Sequence, residues 1–165
     1  MKREIVNNLT PFDNPDLYNS PINIPKNNPI FFYNHLKTMT KIRFVEEIIS
    51  DNISNGIIKC PCHLSNGQEA IPVSLSHYLN KTDHIFGNHR SHGHYIACGG
   101  SSYELFAEIL GKVTGCAKGM GGSMHLYDKT NGFYGSTPIV GGTVSLAVGA
   151  AIAAKKNNLK DISVS

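Results

Sequence analysis

TDHIFGNHRSHGH, residues 82–94, joins a short apolar segment directly to a cluster of histidines around Arg90. Residues 84–86 are predicted to form a short buried strand. In open α/β proteins, ligands bind in the loops that follow the carboxyl ends of the strands. The polar residues that follow this strand are therefore candidates for a binding site.

Predicted helices flank this strand on both sides. Apolar residues recur every three or four positions over residues 31–49, which is the spacing of one helix face. Further helices are predicted over residues 68–79, 102–110 and 143–157, and a last strand over residues 161–165. Helices that alternate with short strands indicate an α/β fold with a largely parallel sheet.

Two local features refine these helices. Ser65 or Asn66 is the predicted N-cap of the helix over 68–79, but Pro72 lacks an amide donor, which favours either a later start or a distorted second turn. Residues 101–104 match a capping box that opens the next helix.

Composition limits the classes of function. The chain has 165 residues, 41% of them hydrophobic, and a net charge of +3 with no basic stripe suited to nucleic acid. The apolar run 144–154 is shorter than the roughly 20 residues that span a bilayer. No apolar segment follows the charged N-terminus, so a cytoplasmic protein without membrane insertion is expected. Residues 1–30, rich in proline and asparagine, are predicted to form an irregular arm before a domain over 31–165.

The cluster GNHRSHGHY places Arg90 among His89, His92 and His94. A guanidinium matches phosphate oxygens and histidines add donors, so the cluster suits an anion such as a diphosphate. A surface loop with hydrogen-bonded histidines is the alternative. A structural metal is disfavoured, because no carboxylate or thiol lies within the cluster.

CPCH, residues 60–63, offers two thiols and a histidine. One residue separates Cys60 from Cys62, where paired zinc ligands usually have two or more, and no second pair is nearby. Free thiols are predicted for these two cysteines and for Cys98 and Cys116. His63 precedes a helix, where it suits an acid or base, although a structural role is the alternative.

Two glycine-containing loops complete the candidates. GCAKGMGGSMH, residues 115–125, matches neither the dinucleotide pattern nor the P-loop pattern. Its glycines allow close approach to a ligand or partner, or else a flexible hairpin. In STPIVGGTV, residues 136–144, the backbone around Pro138 and Val140 suits a flat heterocycle, or the segment is a tight strand-to-helix turn.

Four blocks follow one another along the chain, and together they carry a family resemblance. They are HLSNGQEA (63–70), TDHIFGNHRSHGH (82–94), ELFAEILGKVTGCAKGMGGSMHLYD (104–128) and FYGSTPIVGGTVSLAVGAAIAAK (133–155). From about Met39 onward the chain resembles the alpha subunits of thiamine-diphosphate-dependent 2-oxo acid dehydrogenases and of related acetoin dehydrogenases. The ordered succession is more specific than any single motif.

The resemblance implies a thiamine-diphosphate-binding fold and four cofactor contacts. His89 and Arg90 meet the diphosphate; many members have tyrosine at the position of His89, so Arg90 transfers more directly. The Pro138 carbonyl and the Val140 amide bind the aminopyrimidine ring. Many relatives have glycine at Pro138, but proline keeps the carbonyl that this contact uses.

The resemblance also implies the reaction and its partners. His63 lines the active-site channel and His125 lies near it, which makes them the candidate catalytic residues. The implied reaction is oxidative decarboxylation of a 2-oxo acid, or cleavage of acetoin, with acyl transfer to the lipoyl arm of an acyltransferase. A beta-type subunit is the implied partner, and pyruvate, a branched 2-oxo acid and acetoin are all compatible substrates.

Magnesium accompanies this cofactor in the family, held by a Gly-Asp-Gly motif after the next strand and by a downstream asparagine. This sequence contains no such motif and ends at Ser165. We therefore expect a truncated alpha subunit that has no metal ligands of its own and is inactive alone. The alternative is a non-catalytic truncated module that binds a beta-type partner.

Overall fold

The computed structural model describes residues 28–165, which form five α-helices and three short strands. In chain order these are α1 (Pro29–Ser54), α2 (Ala70–Ser76), β1 (His84–Gly87), α3 (His92–Ala97), α4 (Ser102–Ile109), β2 (Phe133–Ser136), α5 (Val144–Lys156) and β3 (Ser163–Val164). A 3₁₀ turn occupies Lys129–Asn131. The predicted arm, residues 1–30, lies almost wholly outside the described residues.

The three strands form one parallel sheet in the order β2-β1-β3. Ile85 in the central strand is the register partner of Phe133 on one side and of Val164 on the other. The predicted α/β fold with a parallel sheet is confirmed. Because the strands are parallel, the loops that follow Gly87, Ser136 and Val164 leave the sheet at the same edge.

The core lies where the first three helices pack against one another and against the sheet. Ile42 and Ile49 of α1 have no exposed surface, and neither has Tyr95 of α3 nor Phe133 of β2. The rings of Tyr95 and Phe133 meet edge to face with centroids 6.1 Å apart. Helix α5 packs on β1 and β3.

None of the helices within residues 28–165 combines the length and apolarity needed to cross a bilayer.

The helix ends follow the local sequence in most places. Helix α1 is longer at both ends than predicted, and the side chain of Asn28 caps it by accepting from the Phe31 amide. Ser101 accepts from the Glu104 amide, as the capping box predicted. Helix α2 starts at Ala70, the later start that Pro72 favours.

The predicted N-cap of α2 is wrong. Glu69 occupies the cap position, and neither Ser65 nor Asn66 does. The Ser65 hydroxyl instead donates to the Glu46 carboxylate of α1, at 2.6 Å. This bond and the one from the Ser65 amide hold the residue against α1, and no side chain caps the amides of α2.

The sequence predicts no helix within residues 82–94, yet α3 begins at His92. Six residues show too little periodicity to be recognised, and tertiary contacts position this helix. A Cβ at Gly93 would lie 3.4 Å from both the Pro72 ring and the Ser65 hydroxyl. The end of the polar cluster is therefore packed into the interior, with His92 completely buried.

The glycine-rich loop, residues 112–127, closes around the buried carboxylate of Glu108 in α4. Glu108 Oε2 accepts from the amides of Ala117 (2.7 Å) and Gly119 (2.8 Å). Its Oε1 accepts from the amides of Gly121 (2.6 Å) and Gly122 (3.1 Å). These four hydrogen bonds fix the loop and disfavour the flexible-hairpin alternative.

We expect Glu108→Gln to destabilise the chain strongly. The substitution replaces one of two acceptor oxygens by a donor that would face amide donors, which leaves buried groups without partners. The free energy of unfolding should fall by about 2–4 kcal/mol, measured by urea denaturation. Glu47→Gln on the exposed side of α1 is the control, with an expected change below about 0.5 kcal/mol. Equal stability of the two variants would contradict the role of Glu108.

Candidate functional site

The loops after the three strands meet at one edge of the sheet. The Thr137 amide after β2 donates to the Gly87 carbonyl at the end of β1, at 3.2 Å. The hydroxyls of Thr143 and Ser165 lie 2.8 Å apart. A cavity of about 170 Å³ opens at this edge, and Asn88 and His94 are among its lining residues. In α/β folds this edge is the usual place for a ligand.

Arg90 follows β1 and presents an exposed guanidinium at this edge. Its amide donates to Asn88 Oδ1 at 2.8 Å, which sets the turn, and its Nη1 donates to the Leu64 carbonyl. Within residues 28–165 no carboxylate forms an ion pair with it. The guanidinium therefore keeps its charge and several N–H donors for an external anion.

His63 and His89 lie next to each other beside Arg90. Their ring centroids are 4.9 Å apart and the ring planes are nearly perpendicular, at 88°. His63 is exposed in the loop before α2, and His89 is half-buried after β1. The bond from Arg90 to Leu64 joins these two loops, so three of the six predicted site residues are brought together.

Pro138 and Val140 lie in the exposed loop that follows β2, and β2 is the strand adjacent to β1. The Ile139 amide donates to Thr137 Oγ1 at 3.1 Å, and the Gly142 amide donates to the Ile139 carbonyl at 3.0 Å. Within the described range, neither the Pro138 carbonyl nor the Val140 amide is used in a backbone or side-chain hydrogen bond. One free acceptor and one free donor thus lie two residues apart.

His125 lies at the end of the glycine-rich loop, with its side chain exposed. Its neighbours are held to β2, because Ser136 Oγ accepts from the Leu126 amide and donates to the Met124 carbonyl, each at 2.9 Å. In residues 28–165 its imidazole makes no hydrogen bond to another predicted site residue. The structure fixes the position of His125 without joining it to His63 and Arg90.

Sequence reasoning missed the buried network that supports these loops. Glu46 Oε2 lies 2.9 Å from His92 Nδ1, and His92 Nε2 lies 2.8 Å from Ser123 Oγ. Glu46 Oε1 accepts from the amide (3.1 Å) and the hydroxyl of Ser65. Glu46 follows Val45 on the apolar face of α1, and a carboxylate on such a face was the available signal.

Comparison with known proteins identifies the family. The family model for the dehydrogenase E1 component matches residues 36–165. The chain belongs to this family. The alpha subunit of acetoin:2,6-dichlorophenolindophenol oxidoreductase from Bacillus subtilis is 41% identical over 126 residues, which cover 76% of this chain and 38% of that protein.

Two further relatives carry the name pyruvate dehydrogenase E1 component subunit alpha, mitochondrial. The protein from Solanum tuberosum is 42% identical over 132 residues, covering 79% of this chain and 32% of the relative. The somatic form from Homo sapiens is 41% identical over 128 residues, covering 78% of this chain and 32% of the relative. The chain therefore spans about a third of the length of these E1 alpha subunits.

Charges inside this E1 chain are set by burial and by close partners. Burial acts to raise the pKa of Glu46, but the hydrogen bond and charge of His92, with the bonds from Ser65, outweigh it and lower the pKa. Burial lowers the pKa of His94, so its imidazole faces the cavity uncharged at neutral pH.

All four cysteines are free thiols, as predicted, and burial raises the pKa of Cys62, Cys98 and Cys116.

An ion pair anchors the other end of the loop that carries His63. Arg43 Nε donates to Glu69 Oε1 at 2.6 Å, and the Gly67 amide donates to the same oxygen at 3.0 Å. The hydrogen bond from Arg43 lowers the pKa of Glu69 to about 2. In this E1 chain, Arg90 and Arg43 thus hold residues 63–69 near their two ends, and Ser65 is bonded to Glu46 between them.

The lowered pKa of Glu69 predicts a pH-dependent contribution to stability. A carboxyl with a depressed folded-state pKa stabilises the fold above its unfolded pKa of about 4.3, and the contribution is lost as pH falls toward 2. The difference in unfolding free energy between wild type and Glu69→Gln should therefore shrink between pH 5 and pH 2, measured by urea denaturation. In an Arg43→Gln background the same difference should vary much less with pH. A constant difference in the wild-type background would contradict the pairing.

Proposed function

We propose that this chain supplies part of the cofactor site of a thiamine-diphosphate-dependent 2-oxo acid or acetoin dehydrogenase. The observation that carries this proposal is the Arg90 guanidinium after β1, which no carboxylate of residues 28–165 pairs, together with an acceptor and a donor unused within those residues in the loop after the neighbouring strand β2. An anion and a flat nitrogen heterocycle in one ligand match these two groups of atoms. The family membership supports the same ligand.

The residues at the edge fit thiamine diphosphate in two respects. Arg90 has donors and charge for the diphosphate, with His89 beside it. The Pro138 carbonyl and the Val140 amide are unengaged within the described part of the chain, which is what an aminopyrimidine with its own donor and acceptor requires. Both pairs follow neighbouring strands, so one elongated ligand can reach both.

When bound, thiamine diphosphate supplies the nucleophilic carbon and the electron sink for breaking the bond beside a carbonyl group. The residues of this chain then have simpler tasks. Arg90 and His89 hold the diphosphate, while Pro138 and Val140 orient the ring through their backbone atoms. His63, exposed beside His89, is placed to hold or move a proton at its free ring nitrogen. We assign His125 a supporting role at the channel.

Magnesium is a different case. In residues 28–165 no group of three or more His, Cys, Asp or Glu side chains could hold a metal ion. We expect the charge of a bound diphosphate to be only partly balanced by this chain.

The reaction proposed for the whole protein is oxidative decarboxylation of a 2-oxo acid, or cleavage of acetoin, with the acyl group passed to a lipoyl-bearing acyltransferase. The names of the relatives support both substrate classes, pyruvate and acetoin. The cytoplasmic location stays a prediction, since two of the relatives named above are mitochondrial.

Binding to the full chain tests the cofactor proposal. Titration with thiamine diphosphate, followed by amide chemical shifts in NMR, should move the signals of Arg90 and Val140. We expect a Kd on the order of 1 mM, because the proposed contacts balance only part of the diphosphate charge. Pyrophosphate should move only the signals near Arg90, and thiamine only those near Val140. Submicromolar affinity would contradict the proposal that these residues make only part of the site.

Variants separate the contribution of Arg90 from general charge. Arg90→Gln should weaken thiamine diphosphate binding about tenfold and leave thiamine binding unchanged. Lys41→Gln removes a charge from the exposed surface of α1 and should change neither affinity. Equal losses in the two variants would mean that the ligand responds to net charge and not to this site.

We also propose a beta-type subunit as partner. The names of the relatives include "subunit alpha", which supports a second subunit. Helix α5 presents four large apolar side chains that are each more than half exposed: Val144, Leu146, Val148 and Ile152. Exposed apolar groups of this kind favour a protein contact.

Co-purification tests the partner proposal. Co-expression with a beta-type subunit of the same family should give a complex of fixed stoichiometry in size-exclusion chromatography. Leu146→Glu together with Ile152→Glu should reduce the yield of complex at least about tenfold, because charges would be buried. The matched control is Lys155→Glu together with Lys156→Glu, at exposed positions of the same helix. An undiminished complex with the apolar pair replaced would exclude α5 from the interface.

A further inference from the structure

Two thiols lie close together immediately before His63. The Sγ atoms of Cys60 and Cys62 are 3.6 Å apart, and a single residue, Pro61, separates them in the chain. Both side chains are half-buried and free. A disulfide needs the two sulfurs at about 2.05 Å, so they would have to approach by roughly 1.5 Å.

The surroundings hold the two sulfurs together and connect them to the site. Cys60 Sγ donates to the Ile109 carbonyl at the end of α4, at 3.4 Å. Cys62 Sγ donates to the Cys60 carbonyl at 3.5 Å, which keeps the two residues folded on each other. A Cβ at Gly122 would lie 3.7 Å from Cys60 Cβ, so the glycine-rich loop lies directly against the thiols.

We propose that Cys60 and Cys62 form a reversible disulfide, which makes the CPC segment a dithiol modification site. The oxidant is a small disulfide such as glutathione disulfide. Cys60 sulfur attacks one oxidant sulfur, forming a mixed disulfide and releasing one thiol. Cys62 sulfur then attacks Cys60 sulfur and releases the second. Two protein thiols lose two electrons and two protons, and one oxidant disulfide becomes two thiols.

The order of the two attacks follows from burial. Burial raises the pKa of Cys62, which keeps that thiol protonated at neutral pH. The first attack is therefore assigned to Cys60, and the second is intramolecular and aided by proximity. A ring closed across one residue is strained, and strained disulfides are more easily reduced. Excess monothiol should therefore reverse the modification.

The disulfide would change the position of His63. A disulfide has no thiol hydrogens, so closing it removes the bonds that Cys60 donates to the Ile109 carbonyl and Cys62 donates to the Cys60 carbonyl. His63 is the next residue in the chain, and its ring packs on His89. Oxidation should therefore be transmitted to the site edge. This inference holds whether or not the chain binds thiamine diphosphate.

Mass spectrometry of the full chain tests the modification. After exposure to glutathione disulfide and alkylation in denaturant, the chain should have lost two hydrogens and gained two alkyl groups. Trypsin should release residues 60–81 as one peptide that contains the disulfide, since cleavage follows Lys59 and Lys81. Dithiothreitol should restore four alkylated cysteines. Four alkylated cysteines before reduction, or a lasting glutathione adduct on Cys60, would overturn the proposal.

Matched variants test which two cysteines form the disulfide, and denaturant tests whether the fold speeds its formation. Cys60→Ser and Cys62→Ser should each abolish the internal disulfide, while the double variant Cys98→Ser, Cys116→Ser should retain it. The wild-type chain in denaturant should form it about tenfold more slowly, because the fold holds the sulfurs together. An equal rate in denaturant, or a disulfide that persists in Cys60→Ser, would contradict the assignment.

A second measurement tests the effect on the site. The imidazole carbon–proton signal of His63 in NMR should shift on oxidation and return with dithiothreitol, while that of His77, beyond α2, should stay in place. An unchanged His63 signal with the disulfide formed would show that the modification does not reach the site edge.

Discussion

Glu46 and His92 meet at 2.9 Å with no solvent exposure of either side chain. Removing two polar groups from water is costly, and their attraction compensates only when the remaining hydrogen-bonding atoms also find partners. Ser65 and Ser123 provide those partners, one from each of two loops. The pair therefore joins α1, α3, the loop before α2 and the glycine-rich loop at one point.

Glu108 uses the same principle on a single loop. The glycine-rich loop, residues 112–127, contains no helix or strand, and the sheet of three short strands offers it few backbone hydrogen bonds. Four amides converge on the carboxylate instead, and Gly119, at φ +76°, adopts a backbone conformation that few other residues tolerate. Buried carboxylates thus replace secondary structure where the chain must approach the sheet edge closely.

Sequence patterns located β1 and most helices because each shows its own periodicity or cap. Ile42, Val45 and Ile49 define the buried face of α1 without reference to any other element. Helix α3 was missed because its six residues are positioned by Pro72 and Ser65, which are distant in sequence. The family resemblance implied Arg90, Pro138 and Val140 as contacts of one cofactor. The partners of Glu46 and Glu108 depend on tertiary contacts that periodicity does not report.

Of the two arginines within the described residues, only one keeps its charge free of a carboxylate. Both donate to the segment that runs from His63 to Glu69. Arg43 meets a carboxylate there, so its charge is neutralised and the bond is purely structural. Arg90 meets the Leu64 carbonyl, which satisfies one donor without cancelling the charge. Together with the bonds from Ser65 to Glu46, these two donors fix the segment, and of the two arginines only Arg90 retains an uncancelled positive charge for an anion.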